Sequence, residues 1–317
     1  YVYGKPKKIP IDEKEPVKTT NPYTLSKKIA EDLCDFYYRN YGVNVLILRP
    51  FNVFISGFAM IIASAIIDEL SNFEKLTSIL FTVMFFTGAA NVYNDYVDYE
   101  IDLINRPKRP LPSGKVKKKS ALLLFLLLFV CGSYSCFNLN QKAQIIGILI
   151  SMPLIILYSK ALKGLPLIGN IVTSLILGLS FIFCGVAFDN VKPMLIPSFL
   201  AFGLTLTREL IKDIADIKGD KLCGLNTFPI FAGITKSCNL AIIFSIIISI
   251  ASFIPFLSGY YGFWYGFLLV LGVEIPLLVV VFLLYKKPGI SSAMSSAKIL
   301  KFSTLIGLFA IYGGTLK

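Results

Sequence analysis

The sequence contains no histidine. That excludes imidazole acid–base chemistry, histidine-ligated haem and most zinc centres. Its six cysteines, Cys34, Cys131, Cys136, Cys184, Cys223 and Cys238, show no C-x-x-C spacing. A redox dithiol or a thiolate metal site is therefore not indicated, and most of these thiols read as small packing residues in apolar segments. Charge is scarce as well: Asp, Glu, Lys and Arg make up 16% of the chain against 55% hydrophobic residues. Strand-like alternation is missing from the apolar stretches, which excludes a membrane β-barrel.

What is present is length in the apolar runs. The mean hydropathy is +0.71, too high for an ordinary soluble domain. Nine candidate spans follow Arg49: 51–68, 76–97, 120–138, 143–159, 165–188, 194–212, 234–256, 262–284 and 297–314. Most are long enough to cross a hydrocarbon core of about 30 Å as a helix. The expected fold is an all-α polytopic membrane protein with nine transmembrane helices around a central cavity.

The net charge is +12. In a membrane protein the excess of Lys and Arg marks the cytoplasmic loops. The loop after the second span carries Arg106, Lys108, Arg109, Lys115, Lys117, Lys118 and Lys119. The exits of spans four, six and eight carry Lys160 and Lys163, then Lys218 and Lys221, then Lys286 and Lys287. The alternate loops NLNQK, DNVKP and LSGYYGFW are nearly bare of charge. Even-numbered exits are therefore expected in the cytoplasm, with the N-terminus inside and the C-terminus outside.

Two acidic clusters lie at such exits. In NDYVDYEID (94–102), Asn94, Asp98 and Asp102 recur every four residues, and Asp95 and Asp102 are seven apart. On a helix these share one broad face. In RELIKDIADIKGD (208–220), Glu209, Asp213, Asp216 and Asp220 share another face, with Arg208 and Lys212 interleaved. Carboxylate and amide oxygens without His or Cys suit Mg²⁺, which often bridges to substrate phosphates. Two such clusters across a cavity could hold a diphosphate, with nearby Lys and Arg neutralising its remaining charge. The alternatives for these acids are a solvated rim and a cation-binding transporter. A transporter would place them at mid-span on broken helices rather than at helix exits.

NDYVDYEIDLINRPKRPLPSGKV (94–116), RELIKDIADIKGDKLCGLNTFPI (208–230) and YSKALKGLPLIGN (158–170) resemble three signature stretches of the UbiA superfamily of intramembrane prenyltransferases. The resemblance covers about residues 49–317. Within it, the NRPKRPLPSG loop and the REL-x-K-D block look most like archaeal digeranylgeranylglyceryl phosphate synthases. It implies Mg²⁺-dependent transfer of a geranylgeranyl group from its diphosphate to geranylgeranylglyceryl phosphate. The alternative within the superfamily is an aromatic, quinone- or chlorophyll-type acceptor. The implied metal ligands are Asn94, Asp95, Asp98 and Asp102, with Asp213, Asp216 and Asp220 opposite. Asp98, Asp102, Asp213 and Lys163 are the implied catalytic group. Arg49, Asn52, Arg106, Arg109, Lys163, Arg208 and Lys212 are the implied substrate-binding residues, and Tyr158 and Asn170 line the reacting position. Glu274, inside the eighth span, is outside these motifs and is expected to be a buried, hydrogen-bonded or protonated acid.

Residues 1–49 differ in kind. They are polar, with an amphipathic helix expected over 21–42 and a short strand over 43–48. NPYTLSKKIAEDLCDFYYRNYGVNVLILRPFNV resembles the NAD-dependent epimerase/dehydratase family, with Tyr23 and Lys27 matching its Y-x-x-x-K pair. The glycine-rich dinucleotide turn is missing, so no catalysis is expected here. The expected organisation is a truncated epimerase-like fragment, 1–49, joined to a membrane domain, 50–317. A junction created in assembling the sequence is the expected origin, and a natural fusion is the alternative.

Overall fold

The computed structural model describes residues 33, 40, 41, 51–105, 107 and 109–316. The expected N-terminal helix and strand lie outside these residues, apart from Leu33, Asn40 and Tyr41, of which Leu33, Asn40 and Tyr41 are helical. Arg49 and Arg106 also lie outside them.

From Phe51 the described residues form helices joined by turns and short irregular segments, and no strand occurs among them. The elements are α1 (Phe51–Ile66), α2 (Phe73–Val97), α3 (Tyr99–Asn105), α4 (Lys118–Phe137) and α5 (Gln141–Leu162). There follow α6 (Ile168–Ala187), α7 (Leu195–Leu222), α8 (Phe228–Ala232), α9 (Ile234–Leu257), α10 (Phe263–Lys286) and α11 (Ile290–Gly313). Eight of these, among the described residues, are long and apolar enough to cross a bilayer. The expected ninth, α1, is apolar but has only 16 residues, about 24 Å at 1.5 Å per residue. It stops early because the chain turns at Asp68, which takes φ 60°, and Asn72 then caps α2 by accepting from the Lys75 amide.

The sixth expected span also differs. Its helix does not end at Lys212 but runs on to Leu222, so the second acidic block is part of α7. Polar residues of good helix propensity continue the backbone pattern after the apolar run stops.

Lipid is as apolar as Leu, so these helices are held by close packing rather than by hydrophobic burial. α2 packs mainly on α4, and α6 on α7. At the second contact Gly178 is required: a Cβ there would sit 2.9 Å from the Ser198 carbonyl oxygen. One core joins α7, α9, α10 and α11 through Leu210, Ile214, Ile248, Tyr265, Leu277 and Leu300. Another joins α1, α2 and α6 through Met60, Ile79, Phe181 and Cys184. Leu123, Leu127, Val130, Ile250, Ile254 and Phe282 point outward, where lipid would meet them.

Three π-helical turns interrupt the bundle, at Ile145–Ser151, Tyr158–Leu162 and Val270–Glu274. The first and third lie just before Pro153 and Pro276, whose missing N–H removes a regular i→i−4 bond. Glu274 closes the third. It is buried and accepts hydrogen bonds from Ser249 and Ser252, the latter at 2.7 Å. The Tyr265 hydroxyl donates to the Ser252 carbonyl at 2.6 Å. Glu274 is thus a satisfied intramembrane acid, as expected from the sequence.

Candidate functional site

The first acidic block straddles the junction of α2 and α3. Asp98 ends α2 with φ −77° and ψ 6°, so one helix does not run through the block unbroken. The backbone bonds nevertheless carry on: Asp98 N donates to Asn94 O at 2.8 Å and Asp102 N to Asp98 O at 2.7 Å. The shared face therefore survives. Its proof is Arg109, whose Nη1 reaches both Asp95 (2.9 Å) and Asp102 (2.6 Å). The loop arginine thereby folds back onto the block that precedes it.

Asp98 and Asp102 are nearly fully buried, at 6% and 5% exposure. Buried carboxylates need partners. Asp98 receives the Asn94 side-chain amide at 2.9 Å and an ion pair from Lys163. Lys163 also donates to the Asn94 side-chain oxygen, Oδ1, at 3.5 Å. It follows the π turn Tyr158–Leu162 directly, and its amide bonds the Tyr158 carbonyl at 3.0 Å. The widened turn thus places Tyr158 and Lys163 at the same end of α5.

The second block lies along the last turns of α7. Asp213 accepts from buried Asn170 at 2.8 Å, which fixes α6 against it. Asp220 accepts from Thr227 at 3.4 Å, and Asn226 N donates to Gly164 O at 3.0 Å. Asp216 is exposed and lies within electrostatic reach of Asp220. Lys163 lies within reach of Asp220 too. One ammonium therefore stands between the two blocks.

Arg208 and Lys212 share Glu209: Arg208 Nη1 donates to one oxygen at 2.7 Å and Lys212 Nζ to the other at 2.8 Å. Tyr158 is within electrostatic reach of Lys163, Glu209 and Lys212. Asn52 lies in α1, but its side chain is outside the described positions. The role of Glu209 as a shared counter-ion was not legible from the sequence, because i, i+1 and i, i+3 pairs on a helix look like any charged face. Thr227 could have been anticipated only from the family signature, since its hydroxyl bonds Asp220 rather than capping α8.

The seven expected metal ligands do not converge into one cluster. Among the described residues, no three acidic, His or Cys side chains are gathered closely enough to hold an ion by themselves. Each acidic block is instead partly neutralised by its own cations. The donor set is all oxygen, which fits Mg²⁺ held by one or two carboxylates and completed by substrate phosphates.

The UbiA prenyltransferase family matches residues 52–305, and the NAD dependent epimerase/dehydratase family matches residues 1–79. The two matches overlap between residues 52 and 79. Digeranylgeranylglyceryl phosphate synthase of Methanosphaera stadtmanae is 37% identical over 85% of this chain and 98% of its own. The Pyrococcus furiosus enzyme of that name is 34% identical over 85% of this chain and 96% of its own. A solved structure of a digeranylgeranylglyceryl phosphate synthase is 33% identical with a TM-score of 0.72, covering 84% of this chain and 95% of that one. A UbiA homologue from Archaeoglobus fulgidus, bound to GPP and Mg²⁺, shares the fold at 16% identity and a TM-score of 0.58, over 83% of this chain and 97% of that one. With three motif stretches at one end of a helical bundle and a family match across most of its length, the chain belongs to the UbiA prenyltransferase family.

Proposed function

We propose that the protein transfers a geranylgeranyl group from geranylgeranyl diphosphate to geranylgeranylglyceryl phosphate, with Mg²⁺, in archaeal ether-lipid synthesis. The observation that carries this reading is the extent of similarity to enzymes of that name, 37% identity across 98% of the Methanosphaera protein. The site chemistry agrees with it. Hard oxygen donors and cations gather where an apolar bundle can hold the lipid chains.

The reaction breaks the allylic C–O bond of the donor, and the diphosphate leaves with the electron pair. The acceptor hydroxyl oxygen bonds to the allylic carbon and loses its proton. Oxygens drawn from Asn94, Asp95, Asp98 and Asp102 in the first block and from Asp213, Asp216 and Asp220 in the second would hold Mg²⁺ together with the donor's phosphates, and the bound metal would supply positive charge to the leaving diphosphate. Lys163 and Arg109 add cationic donors on the same side. Each exchanges a carboxylate partner for a phosphate oxygen when the donor arrives. Tyr158 and Asn170 are assigned to the reacting position by family resemblance, and Asn170's contact with Asp213 keeps it beside the second block. Arg49, Asn52 and Arg106 are assigned to binding by family resemblance alone.

On this reading residues 50–317 are the catalytic domain. Residues 1–49, with Tyr23 and Lys27, contribute no chemistry. The acidic end of the bundle faces the cytoplasm, as the Lys and Arg distribution directs, and with the short α1 counted as a ninth crossing the N-terminus lies inside and the C-terminus outside.

The test is product analysis in nanodiscs with labelled geranylgeranyl diphosphate. Ether product with geranylgeranylglyceryl phosphate supports the reading. Turnover only with an aromatic acceptor discards it.

A further inference from the structure

Arg208, Glu209 and Lys212 form a unit that the donor chemistry leaves without a distinct task. Arg208 stands where the apolar run of α7 gives way to its polar last turns, with its side chain partly buried. Two cations here share a single carboxylate, one oxygen each. The unit therefore keeps a net positive charge. Arg208 Nε is buried and has no hydrogen-bond partner among the described residues. An arginine fork with one edge on Glu209 and another unfilled is matched to a planar or tetrahedral anion.

The unit is also distinct from the cations that serve the first block. Arg109 is engaged by Asp95 and Asp102, and Lys163 by Asp98. Tyr158 lies within electrostatic reach of Lys163 and also of Lys212 and Glu209. Two cationic groups are thus near one tyrosine. A transfer between two phosphorylated lipids needs this arrangement, because the donor's diphosphate and the acceptor's phosphate must both be neutralised while the reacting atoms meet between them.

We propose that Arg208 and Lys212 form the phosphate subsite for the acceptor, with Glu209 as the positioning residue that holds both cations. This rests on the acceptor being a phosphorylated lipid, as proposed above. A phosphomonoester carries about −1.5 to −2 charges near neutral pH, so it suits a pair of cations better than a neutral or aromatic acceptor does.

The experiment measures steady-state transfer by the full chain in nanodiscs. Two acceptors are compared, geranylgeranylglyceryl phosphate and the phosphate-free geranylgeranylglycerol. The readout is the ratio of kcat/KM between them, with donor KM followed separately. Arg208→Gln is expected to lower that ratio by about tenfold or more, the size of one lost charge-assisted hydrogen bond, while donor KM changes far less. Glu209→Gln should move the ratio in the same direction, and Arg208→Lys should fall between wild type and Arg208→Gln. Should Arg208→Gln fail to fold, wild-type inhibition by glycerol phosphate decides: competition against the acceptor and not the donor supports the subsite, and competition against the donor overturns it. An unchanged ratio with a raised donor KM also overturns it, and leaves the proposed reaction standing. No transfer by wild type to the phosphorylated lipid overturns the reaction itself, and the subsite with it.

Discussion

Lys163 forms an ion pair with Asp98 of the first acidic block and lies within electrostatic reach of Asp220 of the second. The two blocks are far apart in sequence, and a single ammonium relates them. The arrangement explains why a buried carboxylate such as Asp98 is tolerable before substrate binds.

Replacing that ammonium tests the relationship. Lys163→Met leaves Asp98 without its cation. Breaking a fully buried pair costs about 3–5 kcal/mol, and the 30% exposure of Lys163 reduces this to about 1–3 kcal/mol. Thermal unfolding in detergent should show the loss, and adding Asp98→Asn to the same chain should recover most of it. Additive losses in the double variant would show that the two groups act independently.

Arg109 holds its own loop. Arg109→Ala removes the contacts to Asp95 and Asp102, so the segment between α3 and α4 should loosen. Trypsin cleavage at Lys115 or Lys117 should accelerate by about an order of magnitude if the released opening free energy is near 1.4 kcal/mol. An unchanged cleavage rate would mean that other contacts hold the loop.

Metal removal has a defined expectation. A chelator should abolish transfer, and Mg²⁺ should restore it. Asp213→Asn keeps an oxygen toward Asn170 and removes the charge, so it should raise the Mg²⁺ concentration for half-activity by about tenfold or more. Full activity of this variant at wild-type Mg²⁺ levels would remove Asp213 from the binding set.

Glu274 separates a structural acid from a reacting one. Glu274→Gln keeps an acceptor oxygen for one of Ser249 and Ser252 and offers the other hydroxyl an N–H donor, whereas Glu274→Leu offers neither a partner and leaves Ser252 only the Ser249 carbonyl. The first should change stability by no more than about 0.5 kcal/mol, and the second should lower it by about 1–3 kcal/mol. Transfer by the Gln variant should stay near wild type. A large loss of turnover in that variant, with stability kept, would place Glu274 in the chemistry.

Gly178 sets the distance between α6 and α7. Gly178→Ala drives a methyl to 2.9 Å from the Ser198 carbonyl, and overpacking of this kind costs about 1–3 kcal/mol. Because α6 carries Asn170 and α7 carries Asp213, turnover should fall together with stability. Unchanged turnover would show that the site tolerates separation of these helices.

The spans were legible because apolar length is a local property. Their limits fell within a few residues of the helices wherever the apolar run and the helix end together, as at Ile234–Leu257. They failed where the two part company. α7 runs ten residues beyond its apolar stretch, and α11 begins at Ile290, seven residues before the expected 297. The shared face of Asp95 and Asp102 followed from helical spacing, and Arg109 confirms it despite the break at Asp98. The partners of those acids did not follow. Lys163 meets Asp98, and Asn170 meets Asp213, across long sequence separations that no periodicity encodes. The π turn at Tyr158–Leu162 has no proline in it to announce it.

The most direct test of the account concerns the joint action of the two acidic blocks on one diphosphate. It is Mg²⁺-dependent transfer from labelled geranylgeranyl diphosphate to geranylgeranylglyceryl phosphate, measured for wild type, Asp98→Ala and Asp213→Ala. The account predicts ether product that requires Mg²⁺ and falls by about a hundredfold or more in each variant, as expected when a charge-stabilising group is removed. Product formed without Mg²⁺, or full turnover after loss of either carboxylate, would contradict it.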